Sequence, residues 1–172
     1  MKKFCVDATL TFSFPDTWKV EKCDNWSFYK KFVQVGNVLK QGMKCVDLMT
    51  IDDKNVLWLI EVKDYRHHIR QKEICPDVEF CKKIIDTISM LFPAACNAEE
   101  NERSIAKDAV RADKIRIVLH YEQSKFNSKL FPRQFDLDDL QLKIRRCLKC
   151  IDPHPIVTDM SHMPACIRWR VQ

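Results

Sequence analysis

Glycine is almost missing: Gly36 and Gly42 are the only two in 172 residues. That excludes a Gly-rich phosphate cradle, and neither a dinucleotide fingerprint nor a P-loop is present. Long apolar runs are missing too, none approaching the roughly 20 residues that a membrane-spanning helix needs. The opening Met1-Lys2-Lys3-Phe4-Cys5 is basic, then briefly apolar. Asp7 and the Thr and Ser residues after it break the run before it reaches signal-peptide length. No repeat, low-complexity tract or Pro/Ser-rich linker divides the chain. These absences predict one cytoplasmic domain over residues 1–172 with no membrane partner. The nine cysteines then read as reduced thiols, because an odd count without an export signal is no disulfide framework.

What is present is ordinary for a globular protein: 46% hydrophobic and 31% charged residues, which argues against disorder. The net charge of +5 permits a nucleic-acid partner without requiring one. The densest basic run, Lys143, Arg145, Arg146 and Lys149, reads as a solvated helix face. Ala8 to Phe14 has strand-like composition. Asp24 to Val33 reads as a helix, capped by Asp24 or Asn25, with Phe28, Phe32 and Val33 on one face. Gly36 and Gly42 bracket a turn region.

Two β-rich runs follow, Lys44–Ile51 and Val56–Lys63, on either side of Asp52-Asp53-Lys54-Asn55. That is a hairpin, and apolar residues at both odd and even positions predict burial on both faces. Val78, Cys81, Ile84, Ile85, Ile88, Leu91 and Phe92 predict a helix from about Asp77 to Phe92 whose apolar stripe is core, with Pro76 ahead of it and Pro93 as its stop. The polar stretch from Asn97 to Asp113 fits a solvated helix or a loop. Lys114–Tyr121 is a third core strand, and Asp136–Cys150 is a second amphipathic helix. Ile156–Thr158 and Cys166–Val171 close the chain as short strands. The order predicts an α/β fold with a mixed sheet and helices on both of its faces.

Asp47 and Glu61 interrupt otherwise apolar strands. An ionised carboxylate in a dry core is costly unless it is paired or holds a cation. The turn centre falls near Lys54, seven positions from each, so the two acids should lie opposite one another on one face. Lys63, two residues past Glu61, points to the same face. Two carboxylates suit a hard divalent cation such as Mg²⁺, with the Val62 carbonyl as a further ligand. Lys63 is then placed to orient or deprotonate water and to stabilise charge on a phosphate. By contrast, Asp52-Asp53-Lys54 has the same acid-x-Lys spacing but sits in the turn.

Asp47 followed at a hairpin's distance by Glu61-Val62-Lys63 resembles the PD-(D/E)XK, or restriction-endonuclease-like, nuclease superfamily. The resemblance implies an αβββαβ core over about residues 24–121, with a C-terminal helix and strand extension over about 122–172. It implies a metal-dependent endonuclease using Mg²⁺, with Mn²⁺ able to substitute, that hydrolyses nucleic-acid phosphodiesters, DNA preferred. Restriction, phage defence and repair are the settings it suggests. Two departures stand out. Val46 replaces the motif's Pro, and no Glu lies on the first helix, so only Glu21 or Asp24 is placed to serve as an accessory acid.

Past Lys63, Arg66, Arg70 and Lys72 are candidate phosphate contacts and Tyr65 a candidate base-stacking ring, with Lys82 and Gln71 weaker candidates. Adjacent His67 and His68 would face opposite ways on an extended segment, which weighs against a shared metal. Cys147-x-x-Cys150 with His154, His162 and Cys166 has the elements of a zinc site, but both Cys147 and Cys150 fall on or at the end of an amphipathic helix, where small apolar residues pack well. Without a visible DNA-reading module, specificity would come from a homodimer or a partner protein. The alternative is a non-catalytic nuclease-fold subunit that binds nucleic acid or protein in a defence or repair assembly.

Overall fold

The computed structural model describes residues 1–6, 9–33, 42–67, 70, 73–124 and 135–172. Gly36, His68, Gln71 and Lys72 lie outside them, as do the side chains of Phe32 and Val33. The strands are β1 (Lys2–Val6), β2 (Leu10–Phe14), β3 (Lys19–Glu21), β4 (Leu48–Ile51), β5 (Val56–Tyr65), β6 (Lys114–Gln123), β7 (Ile156–Thr158) and β8 (Arg170–Val171). The helices are α1 (Pro76–Asn97), α2 (Glu100–Val110) and α3 (Leu137–Leu148). A 3-10 turn at Cys23–Asn25 and a π-helical turn at Tyr29–Val33 stand where a regular helix is predicted.

The main sheet is mixed, in the order β3-β4-β5-β6-β7. β3, β4 and β5 pair antiparallel, while β5–β6 and β6–β7 pair parallel. The β4–β5 hairpin closes as the sequence predicts. Asn55 takes a left-handed backbone (φ 55°), which asparagine tolerates. Asp52 Oδ1 accepts the amides of Lys54 (2.8 Å) and Val56 (3.0 Å). The register runs from Ile51↔Leu57 to Leu48↔Ile60. One more step places Asp47 opposite Glu61, and β4 is buried throughout.

The covering layers differ from expectation. Leu57 and Leu59 face a core shared with α1, α2, α3 and the turn around Trp26, so the helices flank one face of the sheet. Trp58, Ile60 and Val62 face a second core against β1, β2 and Trp169. A small antiparallel sheet, β1-β2-β8, covers that face instead of helices. The β2–β8 pairing runs one residue further, where Thr11 and Gln172 exchange backbone bonds of 2.8 and 3.0 Å. The predicted strand over Cys166–Val171 shrinks to β8 and joins this second sheet. Strands β1 and β3 carry no clear alternation, and sequence reading passes over them.

Helix α1 also runs further than predicted. Pro93 removes one N–H from the ladder yet lies inside the helix, because Ala94 and Ala95 continue the buried stripe of Phe80, Ile84, Thr87 and Leu91. Val78, Ile85 and Phe92, assigned to the core by periodicity, are more than half exposed. They repeat every seven residues on the helix's outer side. The stretch around Asn97–Asp113 resolves into α2, with Ala106 and Ala109 buried. α3 is capped by Asp136, whose Oδ1 accepts the Asp138 (2.8 Å) and Asp139 (3.2 Å) amides. Among the described residues no helix is long and apolar enough to cross a membrane.

Candidate active site

Asp47 stands one residue before β4, where the ladder to β5 has ended. Its side chain completes that ladder: Oδ2 accepts the Val62 amide at 2.7 Å. Even-numbered β5 residues direct their N–H and C=O toward β4, as the Asp52 N–Val56 O bond (3.1 Å) establishes. The Val62 carbonyl therefore faces the Asp47 side of the strand. Glu61 and Lys63 continue the face of Leu57 and Leu59 and look toward α1.

Around Glu61 the charges converge. Its side chain is 1% exposed. Oε1 pairs with the Lys63 ammonium and, at 2.6 Å, with that of Lys83 from α1. Lys83 also lies 3.7 Å from Asp47 Oδ1. Glu61 Oε2 is buried and has no hydrogen-bond partner among the described residues. Burial raises the Glu61 carboxyl to about 7, with the Asp47 charge adding to the effect and the two lysines opposing it. Burial alone would lower Lys63, but the Glu61 and Asp47 carboxylates outweigh it and hold the ammonium well above its ordinary value.

The three residues singled out in the sequence are thus brought together, and Lys83 is the member that sequence reading missed. Its signal was available. Positions 80, 84, 87 and 91 form the buried stripe of α1, and Lys83 falls between Phe80 and Thr87 on that stripe. A lysine there must find an acid. Thr87 adds a support, accepting the Val46 amide (3.0 Å) and donating to the Lys83 carbonyl (2.7 Å). It ties the segment that carries Asp47 to the helix that carries Lys83.

The free Glu61 Oε2, the second Asp47 oxygen and the Val62 carbonyl form a set of hard oxygen donors that fits Mg²⁺, an ion that keeps several of its waters. Among the described residues neither Glu21 nor Asp24 joins them. Among the described residues no three of His, Cys, Asp and Glu are grouped to hold a metal. Glu21 sits in β3 opposite Met49, with its Oε2 3.4 Å from the Trp26 indole nitrogen. Asp24 is exposed in the 3-10 turn. Nor do Cys147, Cys150, His154 and Cys166 come together as a zinc-type cluster among the described residues. Cys147 instead touches Cys81 across the α1–α3 contact. Burial and that neighbour push the Cys81 thiol up to about 12. All nine cysteines are free thiols.

The expected substrate contacts fare differently. The half-buried Tyr65 ring packs 5.4 Å from Tyr121, which in turn meets Phe135 at 6.1 Å, so it belongs to an aromatic row. Arg66 grips Asp64 with two bonds of 2.9 and 2.6 Å. Arg70 is buried and paired with Glu79 of α1 at 2.8 Å. Lys82 is exposed, 3.9 Å from Asp86, and open to a phosphate; His67 is exposed.

A mixed α/β sheet carrying a buried Glu61, a partly exposed Asp47 and two lysines is what the fold and site define. No family model matches the chain, and no solved structure matches it. It is similar to a cysteine–tRNA ligase of Neisseria meningitidis, 30% identical over 192 residues that cover 91% of this chain and 27% of the ligase. The chain therefore spans about a quarter of the length of that relative.

Proposed function

We propose that this chain is a metal-dependent nuclease of the restriction-endonuclease-like type, hydrolysing phosphodiester bonds of nucleic acid. The observation that carries the reading is the unpartnered, buried Glu61 Oε2 beside Asp47, with Lys63 two residues on. Buried polar atoms are normally satisfied, so an open carboxylate oxygen between an acid and two ammonium groups is an acceptor that suits a cation. The sheet supports the reading through its antiparallel β3-β4-β5 followed by parallel β6. The helical segment falls between β3 and β4 instead of ahead of three consecutive strands, a departure from αβββαβ.

Asp47, Glu61 and the Val62 carbonyl would hold Mg²⁺, or Mn²⁺ in its place, which supplies charge neutralisation and an activated water. Lys63, kept as an ammonium by its acidic neighbours, donates to a phosphate oxygen as charge grows there and does not act as the base. Asp47 fixes the strand amide at Val62 and so the angle at which Glu61 and Lys63 are presented. DNA follows from the motif. The ligase relative, named for tRNA, brings RNA forward as an equal candidate. The free thiols suit a cytoplasmic site of action, and a homodimer or partner protein would supply specificity.

One observation favours a second reading, a binding subunit without cleavage: Lys63 and Lys83 together balance both acids. Incubation of plasmid, single-stranded DNA and tRNA with Mg²⁺ or Mn²⁺ separates the two. Metal-dependent cutting that disappears in Glu61→Ala and Lys63→Ala supports the nuclease. Clean wild-type protein that binds Mn²⁺ and cuts none of the three gives the binding subunit.

A further inference from the structure

We infer that the Lys83 ammonium occupies the cation position of the acid pair and must withdraw before a divalent ion can be held there. The inference rests on the metal site proposed above and concerns what controls it. Asp47 Oδ2 is committed to the Val62 amide, so Oδ1 is the Asp47 oxygen left for a cation. Oδ1 is the oxygen that Lys83 approaches, at 3.7 Å, while the same ammonium sits 2.6 Å from Glu61 Oε1. One cation thus bridges the two carboxylates from the α1 side.

Charge counting makes the consequence sharp. With both carboxyls ionised, Asp47 and Glu61 against Lys63 and Lys83 sum to zero in a pocket that is closed around Glu61 and partly open at Asp47. Adding a divalent ion leaves two uncompensated positive charges at low dielectric, and removing one ammonium halves that excess. Lys63 is the poorer candidate to leave, being fixed in β5 two residues from Glu61 and held also by the Glu79 charge. Lys83 reaches the acids from a separate element, α1, and its side chain keeps 13% exposure, so its ammonium can part from the acids without moving the strand that carries Glu61. A bound phosphodiester would supply the missing negative charge and give the displaced ammonium a new partner. Metal and substrate would then bind cooperatively, with Lys83 passing from the acids to the phosphate.

Titration calorimetry with Mn²⁺ on the full chain tests this. Lys83→Met should tighten Mn²⁺ binding on the order of tenfold or more relative to wild type, and Lys63→Met should tighten it less. A folded Lys83→Met protein that binds Mn²⁺ no more tightly than wild type overturns the inference while leaving the metal site intact. If wild type, Lys83→Met and Lys63→Met all fold and none takes up Mn²⁺, the metal site itself falls. Should Lys83→Met fail to fold, Lys83→Gln carries the same prediction.

Discussion

Two buried acids stand at opposite ends of one hairpin, and they are treated in opposite ways. Asp52, at the turn, has every oxygen engaged. Oδ1 takes the Lys54 and Val56 amides, and Oδ2 takes the Trp58 indole at 3.1 Å with Arg168 at 3.6 Å. Glu61, at the far end, has both cations crowded on one oxygen and none on the other. Both begin an acid-x-Lys triplet. Only the second leaves an acceptor open inside a charged pocket, which is the mark of a group arranged for something not yet bound. A satisfied buried acid is a structural bond; an unsatisfied one is an invitation.

The largest expected effect is on cleavage. Glu61→Ala and Lys63→Ala should each lower metal-dependent hydrolysis by roughly a hundredfold or more, the scale for losing a charge-stabilising group. Asp52→Ala should leave kcat unchanged at temperatures where the variant is folded. Parallel rate measurements check the contrast, and equal losses in Asp52→Ala and Glu61→Ala would erase it.

Stability should rank the same acids in reverse. Asp52→Ala orphans two turn amides and a buried indole N–H and should cost about 2–4 kcal/mol, read as a lower urea midpoint. A cost near zero would mean that water replaces these bonds and that Asp52 is no structural keystone.

How much of this was legible follows from where each residue sits. The hairpin, its register and the Asp47–Glu61–Lys63 face were readable, because the alternation is local and the turn residues Asp52 and Asn55 are chemically specific. Helix α1 was readable by periodicity, but its end was not: the Pro93 rule is local, and the buried Ala94 and Ala95 that override it are tertiary. The same period counted Val78, Ile85 and Phe92 into the core, since it cannot say which side of a two-sided apolar helix meets the sheet. Arg70 and Tyr65 have partners inside the protein that local sequence does not announce, for a related reason. Polarity next to a site looks like substrate binding until a partner such as Glu79 or Tyr121 appears from elsewhere in the chain.

A smaller effect concerns pH. The Glu61 carboxyl ionises near 4.5 in the unfolded chain and near 7 in the folded one. Between these values the folded state keeps a proton that the unfolded state has lost, so stability falls as pH rises through that window. The full gap corresponds to about 3 kcal/mol at most. Glu61→Gln, which mimics the protonated form, should match wild type near pH 4 and exceed it near pH 8 by about 1–3 kcal/mol. Urea unfolding at the two pH values measures this. A variant weaker than wild type at pH 8 would make Glu61 a structural acid like Asp52 and dissolve the contrast between them.

The smallest effect tests the bracing of the site. Thr87 takes the Val46 amide directly ahead of Asp47, and Asp86, also on α1, takes the Lys44 amide two residues earlier. Thr87→Val keeps the shape and removes that acceptor, at a cost of about 1–2 kcal/mol for an unpaired buried N–H. The loss in cleavage should be of similar size, about tenfold, because Asp47 reaches its place only through this segment. It should appear in kcat with little change in KM, since Thr87 is remote from any phosphate contact. A stability loss with kcat intact would show that the Asp47–Val62 bond alone positions the acid, and that α1 serves the site only through Lys83.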